Sequence, residues 1–191
     1  MLQVEGIVNS IFNSMTWLLS ETESNLVWLI DCGDVDKILE KTRGRVISGI
    51  LLTHAHFDHI YGLPLLLRSF PECLIITNES GRETLANSKL NMSFYHEQPL
   101  TVISDKIRIC CEGDVISLFK NKMAKAFETP GHHPSCITYL VGNFLFTGDA
   151  YIPGLRVVTN LPGADKIKAK ESLERIIALA EGRAIYSGHY V

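Results

Sequence analysis

The chain has 191 residues, of which 46% are hydrophobic and 20% charged, and its formal net charge is −3. This length suits one domain with a sizeable core, and we predict a single domain over residues 1–191. The small negative charge gives no basic surface for a nucleic-acid backbone, and no apolar run is long enough to span a bilayer, so neither nucleic acid nor a membrane is expected as a partner.

The N-terminal segment MLQVEGIVNS predicts a strand. It alternates polar with apolar residues, carries Glu5 early and has no basic start, which argues against an export signal. A cytoplasmic location is therefore expected. The five cysteines are an odd number without CxxC spacing, and we expect them to be free thiols.

The first half of the chain alternates predicted strands and helices. Strands are expected around Asn13–Leu19 and Asn25–Asp31, and RVISGILLTH predicts a buried strand that ends in a histidine. A further short strand is CLIIT. The predicted helices are VDKILEKT with Asp34 as N-cap, Gly62–Phe70, and Glu79–Leu90 with Asn78 as N-cap.

The second half repeats this theme. KIRICCEG, DVISL and KAFETP predict strands of an antiparallel or mixed sheet, and CITYLVGNFLFTGD predicts a hairpin with its turn at Gly142 and Asn143. An amphipathic helix is expected over Lys166–Ala180, with Ile167 and Ile177 among the residues that face a core. AIYSGH predicts a last strand. Two halves of this kind favour two sheets packed face to face with helices outside.

Polar side chains concentrate at the ends of these strands. Asp31, His54, Asp149 and His189 each end a predicted strand beside a glycine or a turn, and His132 lies just past another strand. Strand ends project side chains into a common crevice, and loops on a rigid scaffold are where chemistry usually occurs. A functional site is expected there.

The segment LLTHAHFDHIYG contains a dense metal-ligand pattern. In an extended backbone His54 and His56 point the same way, while Asp58 and His59 on the following turn face a second point nearby. Imidazole with carboxylate is the ligand set of zinc and related metals. The alternative is a set of exposed loop histidines, or a core histidine bound to an aspartate. The spacing favours a metal site.

The segment THAHFDHIYGLP also resembles the signature loop of the metallo-β-lactamase fold superfamily. Four further motifs are present, and all five stand in the order of that superfamily: IDCG with Asp31 comes before the loop, and ETPGHHPSCITYL with His132, FLFTGDA with Asp149 and IYSGH with His189 come after it. The resemblance implies an α/β protein, a four-layer αββα sandwich with two β-sheets packed face to face and helices outside.

The same resemblance implies a site with two metals. One metal would be bound by three histidines and the other by an aspartate and two histidines, with one aspartate bridging the two. In this sequence the first set is His54, His56 and His132, the second is Asp58, His59 and His189, and the bridge is Asp149.

Residues around these ligands receive supporting roles. Asp31 resembles an aspartate that steadies a histidine or the loop without binding metal. His133 is expected to be a loop or pocket residue, and His96 is expected at the surface. Three residues after the bridging aspartate are candidate substrate contacts: Tyr151, Arg156 and Lys166.

The function implied is metal-dependent hydrolysis by a metal-bridging hydroxide, with Asp58 and Asp149 as catalytic residues. Two divalent ions are expected, with zinc first and iron or manganese as alternatives. Asp149 stands where true β-lactamases of this fold usually carry a cysteine, so the chain resembles the glyoxalase II-like and general hydrolase branch. Authentic glyoxalase II has a helical C-terminal region that would follow Val191.

These features together predict a small-molecule ester, thioester or lactone as substrate. One alternative is a mononuclear, iron-dependent oxidoreductase that resembles the persulfide dioxygenases of the fold. Another is a non-catalytic, metal-binding member of the fold. The sequence keeps competent residues at all seven ligand positions, which favours two metals and catalysis. It leaves the oligomeric state open.

Overall fold

A computed structural model describes the chain from Met1 to Val191. It contains eleven strands and five α-helices, together with a short 3-10 turn at Ser93–Tyr95. The strands are β1 (Leu2–Val8), β2 (Met15–Glu21), β3 (Leu26–Ile30), β4 (Val46–Leu51), β5 (Leu74–Thr77), β6 (Ile107–Ile109), β7 (Val115–Phe119), β8 (Lys122–Glu128), β9 (Ile137–Val141), β10 (Phe144–Gly148) and β11 (Ala184–Ser187). The helices are α1 (Val35–Thr42), α2 (Phe57–Ile60), α3 (Leu63–Ser69), α4 (Glu79–Leu85) and α5 (Lys166–Ala180).

The strands form two mixed sheets. The first has the order β1-β2-β3-β4-β5-β6, antiparallel from β1 to β3 and parallel from β3 to β6. The second has the order β11-β10-β9-β8-β7, in which β10 and β11 are parallel and the other pairs antiparallel. The predicted hairpin is confirmed, since Val141 pairs with Phe144 across Gly142, which has a φ of 60°.

Three hydrophobic clusters separate four layers. The first lies between the first sheet and α1–α4, the second between the two sheets, and the third between the second sheet and α5. This arrangement confirms the predicted αββα sandwich.

Successive side chains along the inner strands belong alternately to two hydrophobic clusters. Leu18 faces the helices and Leu19 faces the other sheet; Leu29 and Ile30 divide in the same way. Because successive strand residues point to opposite faces, a sheet that is covered on both sides needs nearly continuous apolar strands. That requirement explains why these strands are recognisable from the sequence.

Helix α5 differs from its predicted packing. Ile167 is 73% exposed and Ile177 55% exposed, whereas Ala169, Ser172 and Ile176 are buried. Ile167 and Ile176 are nine positions apart, which is about two and a half turns at ~3.6 residues per turn, so one face cannot hold both. The predicted core orientation of Ile167 and Ile177 is wrong. The buried face holds Ile176, which the amphipathic pattern also predicts to face the core, together with the small residues Ala169 and Ser172.

The two predicted helix N-caps behave differently. Asn78 caps α4, since its side chain accepts a hydrogen bond of 2.9 Å from the Gly81 N–H. Asp34 lies at the N-cap position of α1 but its side chain makes no capping bond. Its carboxylate accepts hydrogen bonds from Ser10 and Tyr61 instead. The cap residue is therefore used to hold a distant loop.

The two sheets meet at one edge of the sandwich. The Ile137 N–H donates to the Thr53 carbonyl at 2.8 Å, and the Met15 N–H donates to the Gly188 carbonyl at 2.7 Å. The carboxyl ends of β3, β4, β8, β10 and β11 lie along this edge. The five cysteines are free thiols, as predicted. No helix of the structure has the length and apolar character needed to cross a membrane.

Candidate metal centre

The shared edge brings the first predicted ligand set together. His54 and His56 follow β4, and His132 lies in the loop after β8. Their ligand atoms lie within 4.8 Å of one another, and all three side chains are buried. The Nδ1 atom of His56 is 3.0 Å from the Nε2 atom of His132. Three imidazoles thus converge on one point.

The second predicted set converges beside the first. Asp58, His59 and His189 also offer ligand atoms within 4.8 Å of one another. The Oδ2 atom of Asp58 is 3.4 Å from Nε2 of His59 and 3.3 Å from Nε2 of His189. The two sheets therefore contribute jointly to this second group.

Asp149 lies between the two sets. Its Oδ2 atom is 3.6 Å from Nε2 of His132 in the first set and 3.3 Å from Nε2 of His189 in the second. Its Oδ1 atom is 3.4 Å from Nε2 of His59. One carboxylate therefore faces both groups.

Four histidines present the same nitrogen to the cluster. In each, Nδ1 bonds to an oxygen outside the cluster, so in the neutral ring the lone pair lies on Nε2. The pairs are His54 with Thr53 Oγ1 at 3.2 Å, His59 with Asp31 Oδ2 at 2.9 Å, His132 with the Val158 carbonyl at 2.9 Å, and His189 with the Phe12 carbonyl at 2.9 Å. The hydrogen bonds thus select the tautomer that can bind a cation.

Asp31 fixes two of these rings from behind. It is buried with a φ of 60°, and its carboxylate accepts hydrogen bonds from the Thr53 N–H at 2.7 Å and the Thr53 hydroxyl at 2.6 Å. Because that hydroxyl donates to Asp31, it accepts from Nδ1 of His54. Asp31 also accepts from His59 directly. Both oxygens of Asp31 are occupied by these bonds.

Charge is distributed unevenly over the cluster. Burial lowers the pKa of His59, but Asp58 and Asp149 outweigh burial and hold that pKa well above its usual value. Burial likewise acts on His189, yet hydrogen bonds to Asp149 and Asp58 raise its pKa to about 10. Burial also raises the pKa of both carboxyls, but His59 above all holds them well below their usual range. The carboxylates therefore favour positive charge at this point.

The first set is held neutral. Burial lowers the pKa of His54 well below its usual value, and burial with the neighbouring His132 lowers that of His56 to about 3. A neutral imidazole is the form that binds a metal.

Unpartnered buried atoms test whether a cation fits here. Nε2 of His54, Nε2 of His56 and Oδ1 of Asp149 are buried and have no hydrogen-bond partner. Such atoms are rare in folded proteins and call for an explanation. Imidazole nitrogens and carboxylate oxygens are suitable ligands for zinc, iron and manganese. The donor set therefore fits divalent metal ions.

The loop between β1 and β2 supports the second set, which the sequence did not indicate. The Ser14 hydroxyl donates to the Asp58 carbonyl at 2.7 Å, and the Phe12 carbonyl accepts from His189. Asp34 anchors this loop through the Ser10 N–H at 2.9 Å and the Ser10 hydroxyl at 2.6 Å. The only sequence signal is a run of turn-forming residues, NSIFNS, which marks a loop and not its target.

Helix α5 supports the loop that carries His132. Gly131 has a φ of 137°, and a Cβ at this position would collide with the backbone of Ala169. The Asp165 N–H donates to the Gly131 carbonyl at 2.8 Å, and the Ser172 hydroxyl donates to the Pro130 carbonyl at 2.6 Å. The small buried face of the helix thus places the loop.

Two other histidines lie near the cluster. His133 is buried and bonds through Nδ1 to the Ser135 hydroxyl at 2.7 Å, with its ring centre 4.7 Å from that of His56. His96 was expected at the surface, but it is half-buried and stacks on Phe57 with a centroid distance of 4.1 Å. The long loop after α4 brings it there.

The three candidate substrate contacts lie outside both ligand sets. Tyr151 is half-buried and packs against the small cluster between the second sheet and α5. Arg156 and Lys166 are exposed. None of these side chains makes a hydrogen bond to a ligand residue, and their contact with substrate stays a prediction.

Comparison with known proteins decides the family. The sequence profile of the metallo-beta-lactamase superfamily matches residues 12–189. The chain belongs to this superfamily. Among solved structures, BLEG-1 B3 metallo-beta-lactamase superposes with a TM-score of 0.88 at 23% identity, covering 99% of this chain and 92% of that one. The superfamily assignment confirms the resemblance drawn from the five motifs.

Curated relatives of this superfamily member are hydroxyacylglutathione hydrolases. That of Aliivibrio fischeri is 27% identical over 192 residues, covering 99% of this chain and 66% of the relative. That of Hydrogenovibrio crunogenus is 25% identical over 187 residues, covering 93% of this chain and 59% of the relative. The chain thus spans about three-fifths to two-thirds of the length of these relatives.

Proposed function

We propose that the chain is a metal-dependent hydrolase that binds two divalent ions and cleaves a small-molecule thioester, with esters and lactones as the related substrate class. The observation that carries this proposal is the meeting of two three-residue ligand sets at one carboxylate, Asp149. Membership of the superfamily supports it. The curated relatives are named for the hydrolysis of an acylglutathione, which supports a thioester within the class.

Each ligand set is assigned one ion. His54, His56 and His132 would hold the first, Asp58, His59 and His189 would hold the second, and Asp149 would contact both. When bound, the two ions would supply the Lewis acidity that lowers the pKa of water toward ~7 and stabilises negative charge on a substrate oxygen. Zinc is the first choice, with iron and manganese as alternatives.

The protein residues provide orientation and access. His54 and His59 are fully buried, whereas the side chains of Asp58, Asp149 and His189 are 14%, 13% and 19% exposed. Substrate would therefore approach from the side of these three residues. In this proposal the Asp58 carboxylate would accept a hydrogen bond from the attacking water and so orient it toward the carbonyl carbon.

The test uses metal-depleted protein reconstituted separately with zinc, iron and manganese. Metal content is measured by elemental analysis, and hydrolysis is followed on a panel of thioesters, lactones and phosphodiesters. We expect two equivalents of metal per chain and thioester cleavage that disappears on depletion and returns on reconstitution.

Other outcomes identify the competing functions. Cleavage that survives metal removal would refute the proposal. One equivalent of iron, together with oxygen consumption on a persulfide, would replace it with the mononuclear oxidoreductase. Tight metal binding without turnover on any substrate would leave a non-catalytic member of the superfamily.

A further inference from the structure

A cavity of about 770 Å³ lies beside the metal centre. We call it the side cavity. Its walls come from the loop between β1 and β2, from α2 and α3, and from residues 96–100 after the 3-10 turn. The residues that matter here are Ile11, Phe57, Leu65, Arg68, His96 and Leu100. A volume of this size is typical of small-molecule sites.

Two residues that line the side cavity are chain neighbours of residues in or against the metal centre. Phe57, which lines the cavity, stands between the proposed ligands His56 and Asp58. Ile11 also lines it, and the next residue, Phe12, accepts the hydrogen bond from His189. A group bound in the cavity would therefore lie against the two loops that carry or support the proposed ligands.

The lining favours a flat apolar group. The His96 ring stacks on Phe57 at 4.1 Å with an interplanar angle of 30°, so the two rings together form an aromatic wall of the cavity. The Phe12 ring lies 6.0 Å from His96. Leu65 and Leu100 add aliphatic surface. Aromatic and aliphatic walls of this kind gain from burying apolar area and from offset or edge contacts between rings.

Two charged residues also line the cavity. Arg68 and Glu97 are exposed, and neither forms an ion pair within the chain. Because one is positive and the other negative, together they favour neither an anionic nor a cationic ligand. The apolar walls are therefore what distinguishes this cavity.

We propose that the side cavity binds an apolar, ring-sized group of the substrate and so selects among substrates of the metal centre. That the side cavity selects among substrates rests on the proposed hydrolase function, whereas the binding of a ring in the cavity does not. The ring belongs either to the acyl group or to the leaving thiol, and both arrangements use the same chemistry.

The kinetic test compares matched thioesters. On the acyl side, phenylacetyl and acetyl thioesters of one small thiol are compared; on the thiol side, acetyl thioesters of benzyl and ethyl thiols are compared. Leu65→Trp fills the cavity from α3, and Leu39→Trp places the same side chain at an exposed leucine of α1 outside the cavity. Neither residue belongs to the proposed ligand set.

In the variant Leu65→Trp we expect kcat/KM for the ring-bearing thioester to fall about tenfold or more, in keeping with the cost of a blocked apolar pocket. The small partner thioester and all substrates of Leu39→Trp should change little. The series in which the loss occurs tells which side of the substrate enters the cavity. An equal loss for ring-bearing and small thioesters, or no loss in either series, would overturn the assignment.

A binding test separates this inference from the hydrolase proposal. Metal-free protein is titrated with benzamide, a neutral ring, up to its solubility limit while the methyl NMR signals of Ile11, Leu65 and Leu100 are followed. We expect these signals to shift, and those of Ile11 and Leu100 to stay fixed in Leu65→Trp. Absence of shifts in the wild type would refute the cavity as a ring site. Shifts without any thioester activity would refute the hydrolase proposal alone.

Discussion

The orientation of individual imidazoles is the feature of the site that most depends on single residues. Nδ1 of His132 bonds to a backbone carbonyl, and Nδ1 of His59 bonds to a buried carboxylate. Each acceptor makes the ring donate from Nδ1, so in the neutral ring, the form that binds a metal, the lone pair lies on Nε2. Removing an acceptor would free the ring to turn, and removing the ring would delete a ligand.

Asp149 decides whether the two ligand sets act together. The variant Asp149→Asn keeps the shape but removes the negative charge that faces both sets. We predict that the variant holds one ion in place of two, that its affinity for the lost ion falls about tenfold or more, and that kcat falls with it. Elemental analysis and steady-state kinetics measure the two effects, and circular dichroism checks the fold. A variant with two tightly bound ions and unchanged turnover would show that Asp149 is structural.

The adjacent residues His132 and His133 provide a matched pair. His132 belongs to the first ligand set, whereas His133 is bonded to Ser135 and only packs against His56. We predict that His132→Ala loses metal and activity and that His133→Ala retains its metal. Metal titration of both variants decides the matter. Equal loss of metal in both variants, or loss of metal in His133→Ala alone, would show that the motif was assigned to the wrong histidine.

At the scale of elements, two segments distant in sequence hold the ligand loops in place. Helix α5 lies against the loop that carries His132, and the loop between β1 and β2 lies against Asp58 and His189. Neither segment contributes a ligand side chain. Their packing therefore controls geometry without touching the proposed ions.

Close packing of α5 makes Ala169 a sensitive position. It lies against Gly131, one residue before His132. We predict that Ala169→Leu lowers the free energy of unfolding by about 1–3 kcal/mol through overpacking and weakens metal binding. The control is Ala178→Leu on the exposed face of the same helix. Urea unfolding and metal titration test both variants, and equal behaviour of the two would contradict this role of the helix.

Asp34 anchors the loop between β1 and β2 and makes stability depend on pH. Partial burial raises its pKa, but hydrogen bonds from Lys37, Ser10 and Tyr61 outweigh burial and lower the pKa from 3.8 to about 2. Because the pKa of Asp34 is lower in the folded than in the unfolded protein, its ionised carboxylate stabilises the folded state at pH values above 3.8. This contribution is lost as the pH falls from 3.8 toward 2.

We therefore predict that Asp34→Asn lowers the free energy of unfolding by about 1 kcal/mol near neutral pH, a modest figure because solvent screens part of the interaction. The difference in free energy of unfolding between wild type and variant, here called the gap, should narrow as the pH falls below 4. Urea unfolding of metal-free protein across this range measures the gap. Asp36→Asn, an exposed first-turn residue of the same helix, is the control. A gap that stays constant with pH would refute the anchor.

At the scale of the whole molecule, the proposed ions would join the two sheets. The first half of the chain contributes His54, His56, Asp58 and His59, and the second half contributes His132, Asp149 and His189. The sheets also share a buried cluster of 14 residues. The shared cluster joins the halves, and the proposed ions would join them further, so a single domain over 1–191 stays our prediction.

We predict one cooperative unfolding transition whose midpoint rises with metal. A ligand that binds only the folded state adds about 2.7 kcal/mol when its concentration is about one hundred times Kd. Differential scanning calorimetry with and without chelator measures the gain, and His54→Ala should abolish most of it. Two separate transitions would contradict the single domain, and a midpoint insensitive to metal would contradict the metal site.

The sequence by itself determined the strands, the two-sheet sandwich and the candidate ligands. Apolar strands that alternate with helices leave a local pattern, since each inner strand must cover both faces of its sheet. The ligands were visible because His54, His56, Asp58 and His59 lie within six positions, and because Asp149 and His189 end strands. Local spacing of this kind can be recognised without any knowledge of tertiary contacts.

Only the tertiary structure decided what surrounds the ligands. The bond from Ser14 to Asp58 joins residues 44 positions apart, and that from His189 to Phe12 joins residues 177 apart. Such contacts depend on how segments distant in the sequence pack together, so no local pattern predicts them. The same reason explains the stacking of His96 on Phe57. It also explains why α5 buries the small Ala169 against Gly131 on the same face as the apolar Ile176.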